Sequence, residues 1–381
     1  MKLKQLSLWA LALIAPALSW SAVIPPPEMD NTAYVLMDFD SGRILAERNS
    51  HQPLPPASLT KMMTSYLVEQ ALRSGRLKPD DQVHVSEHAW CRGSSVESCM
   101  YLPLNGSASV MDMLRGIIVQ SGNDAAKAVA EHLAGTEPAF AEMMNNEAAK
   151  LGMKDTHFMN ATGLPDPNHK ASAFDLALLA RTIIRNSAQF YPIYAEREFK
   201  YNGIKQGNRN ALLYTDPTVD GLKTGHTQEA GYCLTASSKR NGMRLISVVM
   251  GTKTVQERAD QSRALFNWGF ANWEDVKPIA AGAVVTQAPV RFGKEDQVKV
   301  GVTQDFVATI PRGQSASVKT AVELNPEITA PIAKGATLGK VVVTVDGQTF
   351  GEQPLVALEP VEEAGFFKRL WQRILSWFKF K

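Results

Sequence analysis

A serine and a lysine stand three residues apart in the segment PASLTKMMTSYLV, as Ser58 and Lys61. Residues at this spacing lie on one face of a helix, about one turn apart, so the two side chains can share a proton. A free serine is a poor nucleophile, but a neighbouring amine activates it when burial or another cation lowers the pKa of that amine. The pair predicts acyl transfer through Ser58, with Lys61 as the base. Because both residue types are common, the same spacing also fits a capped, solvated helix start.

Two further motifs follow along the chain. The sequence SGN at 121–123 comes directly after a helical run ending in IIVQ, and the sequence KTG at 223–225 falls on a strand-like stretch before another strand. Together with SLTK at 58–61, and in this order, these are the motifs of the penicillin-binding proteins and serine β-lactamases. The three motifs together are far more specific than any one of them.

The similarity extends over residues 30–270, through stretches such as RGIIVQSGNDAA, LGMKDTHFMNATGL and VDGLKTGHTQEAGYCL. These stretches resemble the low-molecular-mass D-alanyl-D-alanine carboxypeptidases of Gram-negative bacteria. The resemblance implies a serine peptidase that removes the terminal D-alanine from the pentapeptide stems of peptidoglycan. It also implies that β-lactam antibiotics are covalent inhibitors.

The resemblance implies three catalytic residues, Ser58, Lys61 and Ser121. Ser58 attacks the carbonyl of the penultimate D-alanine and becomes acylated, and Lys61 accepts its proton. Ser121 relays a proton towards the leaving D-alanine. The backbone N–H groups of Ser58 and His226 form the oxyanion hole, and water then releases the shortened stem peptide.

The resemblance also implies a set of substrate-binding residues. These are Asn123, Lys223, Thr224, Gly225 and His226. Asn123 binds the substrate amide and helps to hold Lys61, while Lys223 and Thr224 receive the terminal carboxylate. The strand that carries the KTG sequence pairs with the peptide backbone. Arg258 is a second cation for the carboxylate, although it fits a solvated helix arginine equally well.

The pattern of hydrophobic residues predicts an α/β fold. A hairpin is expected over 33–46, helices after 57, over 110–135 and after Ser172, two β-rich runs over 230–251, and a last helix near 270. The resemblance implies a β-lactamase/transpeptidase-like domain, in which helices flank a five-stranded antiparallel sheet and an all-helical cluster completes the active site. Short Val-rich runs beyond 274 predict a small all-β domain, followed by a C-terminal amphipathic helix.

The two ends of the chain predict export and attachment to a membrane. Residues 1–22 have the layout of a cleaved signal peptide, with Lys2 and Lys4 before a short apolar run. The predicted domains are a penicillin-binding D,D-peptidase domain at 23–273, the all-β domain at 274–362 and an anchoring helix at 363–381. Residues 366–381 carry five cations and no acid on an amphipathic pattern, which predicts binding to the inner-membrane surface. The enzyme is therefore expected on the periplasmic face of the inner membrane, as a peripheral protein.

The segment WCRGSSVESCMYLPLNG differs from the related sequences, because it is shortened and bracketed by Cys91 and Cys99. The two cysteines are close enough in sequence to close a small loop, so an exported chain favours a disulfide between them over two unpaired thiols. Because this loop borders the active site in the family, it bears on substrate preference. Cys233 is expected to be a core residue. Arg209 is expected to be a structural hydrogen-bond donor.

Composition and residue spacing exclude some classes of function. The formal net charge is +2, and removing residues 1–22 brings it near zero, which predicts no nucleic-acid partner. The histidines are scattered, and His84 and His88 lack further ligands, so no metal or other cofactor is expected. The region ATGLPDPNHKASAFD lacks the glutamate of class A β-lactamases, which favours a peptidase over a β-lactamase. A D,D-endopeptidase that acts on cross-links, a weak β-lactamase on the same fold and a non-catalytic cell-wall protein remain as alternatives.

Overall fold

The computed structural model describes residues 24–92 and 97–378, with side chains to residue 374. The predicted signal peptide, residues 1–22, lies outside the described residues. The helices before residue 273 are α1 (Lys61–Arg73), α2 (Val110–Arg115), α3 (Asn123–Ala134), α4 (Glu137–Leu151), α5 (Ala173–Asn186), α6 (Leu212–Thr215) and α7 (Val255–Asn272). The strands of this part are β1 (Ala33–Asp38), β2 (Ile44–Arg48), β3 (Gln82–His84), β4 (Ser107–Ser109), β5 (Glu198–Tyr201), β6 (Ile204–Gly207), β7 (Val219–Thr227), β8 (Gly231–Arg240) and β9 (Met243–Thr252).

An antiparallel five-stranded sheet with the order β2-β1-β9-β8-β7 organises this part of the chain. Side chains alternate between its two faces, because successive strand residues point to opposite sides. Val35 and Met37 of β1 join the core cluster shared with α1 and α5, whereas Tyr34 and Leu36 join the cluster shared with α7. The predicted antiparallel sheet with helices on both faces is therefore confirmed.

The helical run predicted over 110–135 is broken in the middle. After α2 the chain forms a π-helical turn over Gly116–Gln120, and Ser121 then adopts a left-handed conformation with φ 66°. α3 begins only at Asn123. A continuous helix would spread residues 121 and 123 around its surface, whereas after the break Asn123 contacts Lys61. The prediction of one uninterrupted helix was wrong, because hydrophobic periodicity does not register a single left-handed residue.

The remainder of the chain is built from β-strands and one helix. These are β10 (Trp273–Ile279), β11 (Val284–Pro289), β12 (Gln297–Gly301), β13 (Phe306–Pro311), β14 (Val318–Leu324), β15 (Thr337–Val345), β16 (Gln348–Ala357) and α8 (Phe366–Phe378). A second five-stranded sheet has the order β11-β12-β16-β15-β14, and β10 pairs with β13. The predicted small all-β domain and terminal helix are thus present. None of the described helices is long and apolar enough to cross a membrane.

Two carboxylates meet where β1 faces the all-β domain. Ser41 Oγ lies 2.7 Å from Asp38 Oδ1 and 2.6 Å from Thr309 Oγ1, which in turn lies 2.8 Å from Asp275 Oδ1. Each hydroxyl has one proton to donate, so three contacts between two hydroxyls and two carboxyl groups require one more proton. Burial, followed by the charge of Asp38, raises the pKa of Asp275 to about 8. A protonated Asp275 completes this hydrogen-bonded chain.

Candidate active site

Ser58 lies on a single turn of 3-10 helix, Ala57–Thr60, that leads directly into α1. Lys61 is the first residue of α1, and its Nζ lies 3.2 Å from Ser58 Oγ. The turn is held from outside by Gly163, whose φ of +82° brings its backbone so close that an added Cβ would lie 1.8 Å from the carbonyl oxygen of Ala57. The structure therefore brings together the serine and lysine that the sequence paired.

Lys61 has no exposed surface, although it is a cation by type. Its Nζ donates to Asn123 Oδ1 at 2.6 Å and to the carbonyl oxygen of Thr162 at 2.7 Å. Burial, followed by the charge of Arg209, lowers the pKa of the Lys61 amine to about 7. Desolvation disfavours the charged form of an amine, so a substantial fraction is neutral near pH 7. A neutral amine beside a hydroxyl can act as a general base.

Ser121 and Asn123 reach the same site from the break between the π-helical turn and α3. Ser121 is only 3% exposed, and its Oγ has no hydrogen-bond partner within the described part of the chain. A buried hydroxyl without a partner is costly, so such a group marks a place where another molecule is expected to bind. Asn123 binds Lys61 directly, as predicted.

β7 is the edge strand of the sheet, and it passes against the turn that carries Ser58. A Cβ at Gly225 would lie 3.0 Å from the carbonyl oxygen of Pro56, so a larger residue would require the turn to shift away from β7. Lys223 is 3% exposed and its Nζ donates to the carbonyl oxygen of Thr224 at 3.1 Å. Burial, followed by the charge of Lys61, holds the pKa of Lys223 well below its ordinary value. In the free site the charged form of the Lys223 amine is therefore disfavoured. A bound carboxylate would favour the charged form again.

Arg258 and His226 occupy different surroundings. Arg258 is 5% exposed, and its guanidinium donates to the backbone carbonyl of Gly225 at 3.0 Å and to that of Cys233 at 3.4 Å. It is therefore not a solvated helix arginine, and it braces β7 from behind. His226 is exposed at the mouth of the site and stacks on Tyr232 with ring centroids 4.0 Å apart. A direct contact of either side chain with substrate stays a prediction.

A segment that the sequence motifs do not include also borders the site, and we call residues 97–102 the cleft segment. Cys99 is joined to Cys91 by a disulfide, as predicted, with a Cα–Cα distance of 6.2 Å. Asp124, fully buried, accepts hydrogen bonds from the backbone of Met100 and Leu102. Arg209 donates a hydrogen bond to the hydroxyl oxygen of Ser98 at 2.6 Å, so it is a structural donor as predicted.

Glu97 is the residue of the cleft segment that sequence reasoning missed. Its Oε2 accepts from Asn123 Nδ2 at 3.0 Å and from Lys127 Nζ at 3.4 Å. Burial opposes ionisation, but the hydrogen bond from Asn123 and the charge of Lys127 hold the pKa of Glu97 below its ordinary value. In the sequence Glu97 is an ordinary loop acid two residues before a cysteine, and the fold alone brings it next to the SGN sequence.

The loop between α4 and α5 also contacts the 3-10 turn Ala57–Thr60, through His169. Met159 donates its backbone N–H to His169 Nδ1 at 3.0 Å, so the proton on Nε2 is donated to Thr60 Oγ1 at 2.7 Å. Burial lowers the pKa of His169 to about 4, which keeps the ring neutral. This buried imidazole fixes Thr60, the residue directly before Lys61. The role is structural, and the sequence motifs did not indicate it.

Comparison with known proteins agrees with this geometry. Residues 21–254 match the family described as D-alanyl-D-alanine carboxypeptidase, peptidase S11, and residues 273–363 match the penicillin-binding protein 5 C-terminal domain. The chain therefore belongs to the peptidase S11 family of D-alanyl-D-alanine carboxypeptidases. The fold and the three motifs thus both place this chain among the serine enzymes of that family.

Three individual proteins illustrate the similarity. The chain is 46% identical to the D-alanyl-D-alanine carboxypeptidase DacA of Haemophilus influenzae, covering 91% of this chain and 89% of that protein. The crystal structure of penicillin-binding protein 5 from the same organism superposes with a TM-score of 0.85 at 45% identity, covering 89% of this chain and 100% of the other. Penicillin-binding protein D2 of Listeria monocytogenes, in its ampicillin-bound form, is 30% identical with a TM-score of 0.59, covering 65% of this chain and 100% of the other.

Proposed function

We propose that this chain removes the terminal D-alanine from peptidoglycan stem pentapeptides through an acyl-enzyme on Ser58. The observation that carries the proposal is the Lys61 amine, buried, 3.2 Å from Ser58 Oγ and with a pKa of about 7. Such an amine takes the Ser58 proton as the hydroxyl oxygen attacks the carbonyl carbon. The free hydroxyl of Ser121 then relays a proton to the nitrogen of the departing D-alanine, which completes acylation.

The basic residues around the site favour a substrate that ends in a carboxylate. Lys223 and Thr224 lie on β7 beside the nucleophile, and Arg209 adds a charge at the cleft segment. A terminal carboxylate bound between Lys223 and Thr224 gives the buried lysine a counter-charge. An internal peptide bond would offer no such charge, which favours a carboxypeptidase over an endopeptidase.

β-Lactam antibiotics are the inhibitors that this mechanism implies. A β-lactam presents a strained amide and a carboxylate to the same nucleophile and cations, so it forms an ester with Ser58. The related penicillin-binding protein D2 of Listeria monocytogenes is described with ampicillin bound. Slow release follows if no glutamate activates water, and the 161–175 stretch contains no glutamate.

The place of action proposed here is the periplasmic face of the inner membrane, after removal of residues 1–22. Support comes from α8, whose large apolar side chains are exposed. They are Phe366, Phe367, Leu370, Trp371 and Ile374. Its polar side faces the all-β domain, where Gln372 accepts from the backbone N–H of Phe292 at 2.6 Å and Lys368 pairs with Asp296 at 2.9 Å. An exposed apolar face of this kind suits burial in the surface of a lipid bilayer.

D-Alanine release tests the activity. Purified full-length protein in detergent is incubated with a pentapeptide ending in D-Ala-D-Ala, beside the Ser58→Ala variant. Release by the wild type that is absent from the variant supports the proposal, and equal release by both contradicts it. Deleting residues 366–381 should move the protein from the membrane fraction to the soluble periplasmic fraction with its activity intact. Retention in the membrane fraction contradicts the proposed anchor.

A further inference from the structure

The Asn123 side chain joins two groups of opposite character. Its Oδ1 accepts from Lys61 Nζ at 2.6 Å, and its Nδ2 donates to Glu97 Oε2 at 3.0 Å. The oxygen and nitrogen ends of an amide are not interchangeable, because one accepts and the other donates. With a lysine on one side and a carboxylate on the other, only one orientation of this amide satisfies both neighbours.

This orientation leaves one Asn123 N–H available. A primary amide has two N–H donors, and Glu97 accepts one of them. The second can meet the carbonyl oxygen of a bound peptide. If the amide turned over, its oxygen would face the Glu97 carboxylate, and the contact with Lys61 would lose its acceptor. Hydrogen bonds to ionised groups are among the stronger ones in proteins, so Glu97 sets a clear preference.

The protein holds Glu97 in place from several sides. The disulfide between Cys91 and Cys99 closes the chain around it, and the backbone N–H of Asn123 donates to the carbonyl oxygen of Ser98 at 2.7 Å. Lys127, one turn further along α3, pairs with the same carboxylate oxygen as Asn123 at 3.4 Å. Glu97 is therefore fixed relative to the SGN turn itself.

We propose that Glu97 is a positioning residue for acylation, which keeps the Asn123 amide turned so that its oxygen holds Lys61 and its free N–H meets the substrate. This inference rests on the proposed function of Ser58 and Lys61. Glu97 acts through Asn123 and does not touch the reacting atoms. Its negative charge also raises the pKa of Lys61, whereas the positive charge of Lys127 lowers it.

Three substitutions separate these effects. Glu97→Met keeps the length of the side chain but removes the acceptor. Glu97→Gln keeps an acceptor oxygen and removes the charge. Lys127→Met keeps both partners of the hydrogen bond between Glu97 and Asn123 and removes a charge of the opposite sign. The measurement is the rate of acylation of the full-length protein by benzylpenicillin as a function of pH, with thermal unfolding as a check of folding.

Glu97→Met should slow acylation roughly ten- to a hundredfold at neutral pH, as expected for loss of a hydrogen bond to a charged group. Glu97→Gln should retain most of the rate, while the acidic limb of its pH profile moves to lower pH. Lys127→Met should move that limb to higher pH. These opposite shifts report the charges that act on Lys61, whereas a rate that is lost in Glu97→Met and kept in Glu97→Gln reports the hydrogen bond to Asn123.

The outcomes distinguish this inference from the function on which it rests. If the wild type is acylated and Glu97→Met is acylated at the same rate, the positioning role is wrong and the proposed function stands. If the wild type is not acylated at all, both are wrong. Should Glu97→Met fail to fold, Glu97→Asp decides, because it keeps the charge but is too short to reach Asn123, and an acylation rate equal to that of the wild type contradicts the inference.

Discussion

Nζ of Lys61 lies 3.2 Å from Oγ of Ser58, although the lysine side chain has no exposed surface. Burial costs an ammonium ion its hydration, and the neighbouring charge of Arg209 adds to this cost. The resulting pKa of about 7 is suited to a base that works near neutral pH. The Ser58–Lys61 pair thus depends on the dry environment that the loop around Thr162 and the SGN turn create.

Acylation should depend on the protonation state of Lys61. Only the neutral amine can accept the Ser58 proton, so the acylation rate should rise with pH through the Lys61 pKa of about 7 and fall below it. Stopped-flow measurement with a chromogenic β-lactam gives this profile. Lys61→Arg keeps a cation but cannot lose its proton, so its rate should drop by at least a thousandfold at every pH, by roughly the contribution of general-base catalysis. A rate in that variant comparable to wild type would contradict this role.

Acid should destabilise the fold through His169. Its pKa is lowered from 6.5 to about 4 in the folded protein, so between these pH values the unfolded chain binds a proton that the folded chain does not. The stability lost over this window should approach about 3 kcal/mol, since each pH unit corresponds to about 1.4 kcal/mol. Urea unfolding at several pH values measures it. His169→Gln should be less stable at pH 7 but lose less on acidification; an unchanged slope would show that another group is responsible.

Reduction of the disulfide should affect both stability and rate. The bond closes a loop between residues eight apart in sequence, for which chain entropy predicts about 2–3 kcal/mol of stabilisation. Reduced protein should therefore unfold at lower temperature, and acylation should slow because the cleft segment loosens around Asn123. The double variant Cys91→Ser, Cys99→Ser is the matched control. It should behave like reduced protein and not respond to reductant.

Alkaline pH should weaken the contact between the peptidase part and the all-β domain. The pKa of Asp275 is raised from 3.8 to about 8 in the folded protein. Between these pH values the carboxyl group is ionised in the unfolded chain and protonated in the folded chain, so the free energy of unfolding falls as pH rises through this window. Asp275→Asn supplies an N–H donor to Thr309 at all pH values. Its melting temperature should exceed that of the wild type at pH 9, and the difference should shrink towards pH 4. A constant difference would contradict the shared-proton arrangement.

Much of the fold follows from local patterns in the chain. The apolar runs over 33–46, the β-rich runs over 230–251 and the helical repeat after Ser172 predict the sheet and α5, whose Ser172 cap accepts from the N–H of Asp175 at 3.1 Å. The three motifs likewise indicate which side chains meet. These signals are reliable because each depends on neighbours in sequence.

The parts that the sequence did not predict depend on contacts between distant residues. The left-handed Ser121 is a single position within a helical pattern, and Glu97 reads as an ordinary loop acid until the fold brings it to Asn123. From the helical pattern alone, the Arg258 side chain could be expected either to point into solvent or to bind the substrate. Only the packing of α7 behind β7 shows that it binds the carbonyl of Gly225.

The acyl-enzyme itself tests the central claim most directly. The full-length wild type and the Ser58→Ala variant are incubated with benzylpenicillin, and intact mass and peptide mapping locate the adduct. The proposed mechanism predicts one covalent adduct, on the peptide that contains Ser58, and none on the folded variant. An adduct on another residue, or none on folded wild-type protein, would contradict the assignment of Ser58 as the nucleophile.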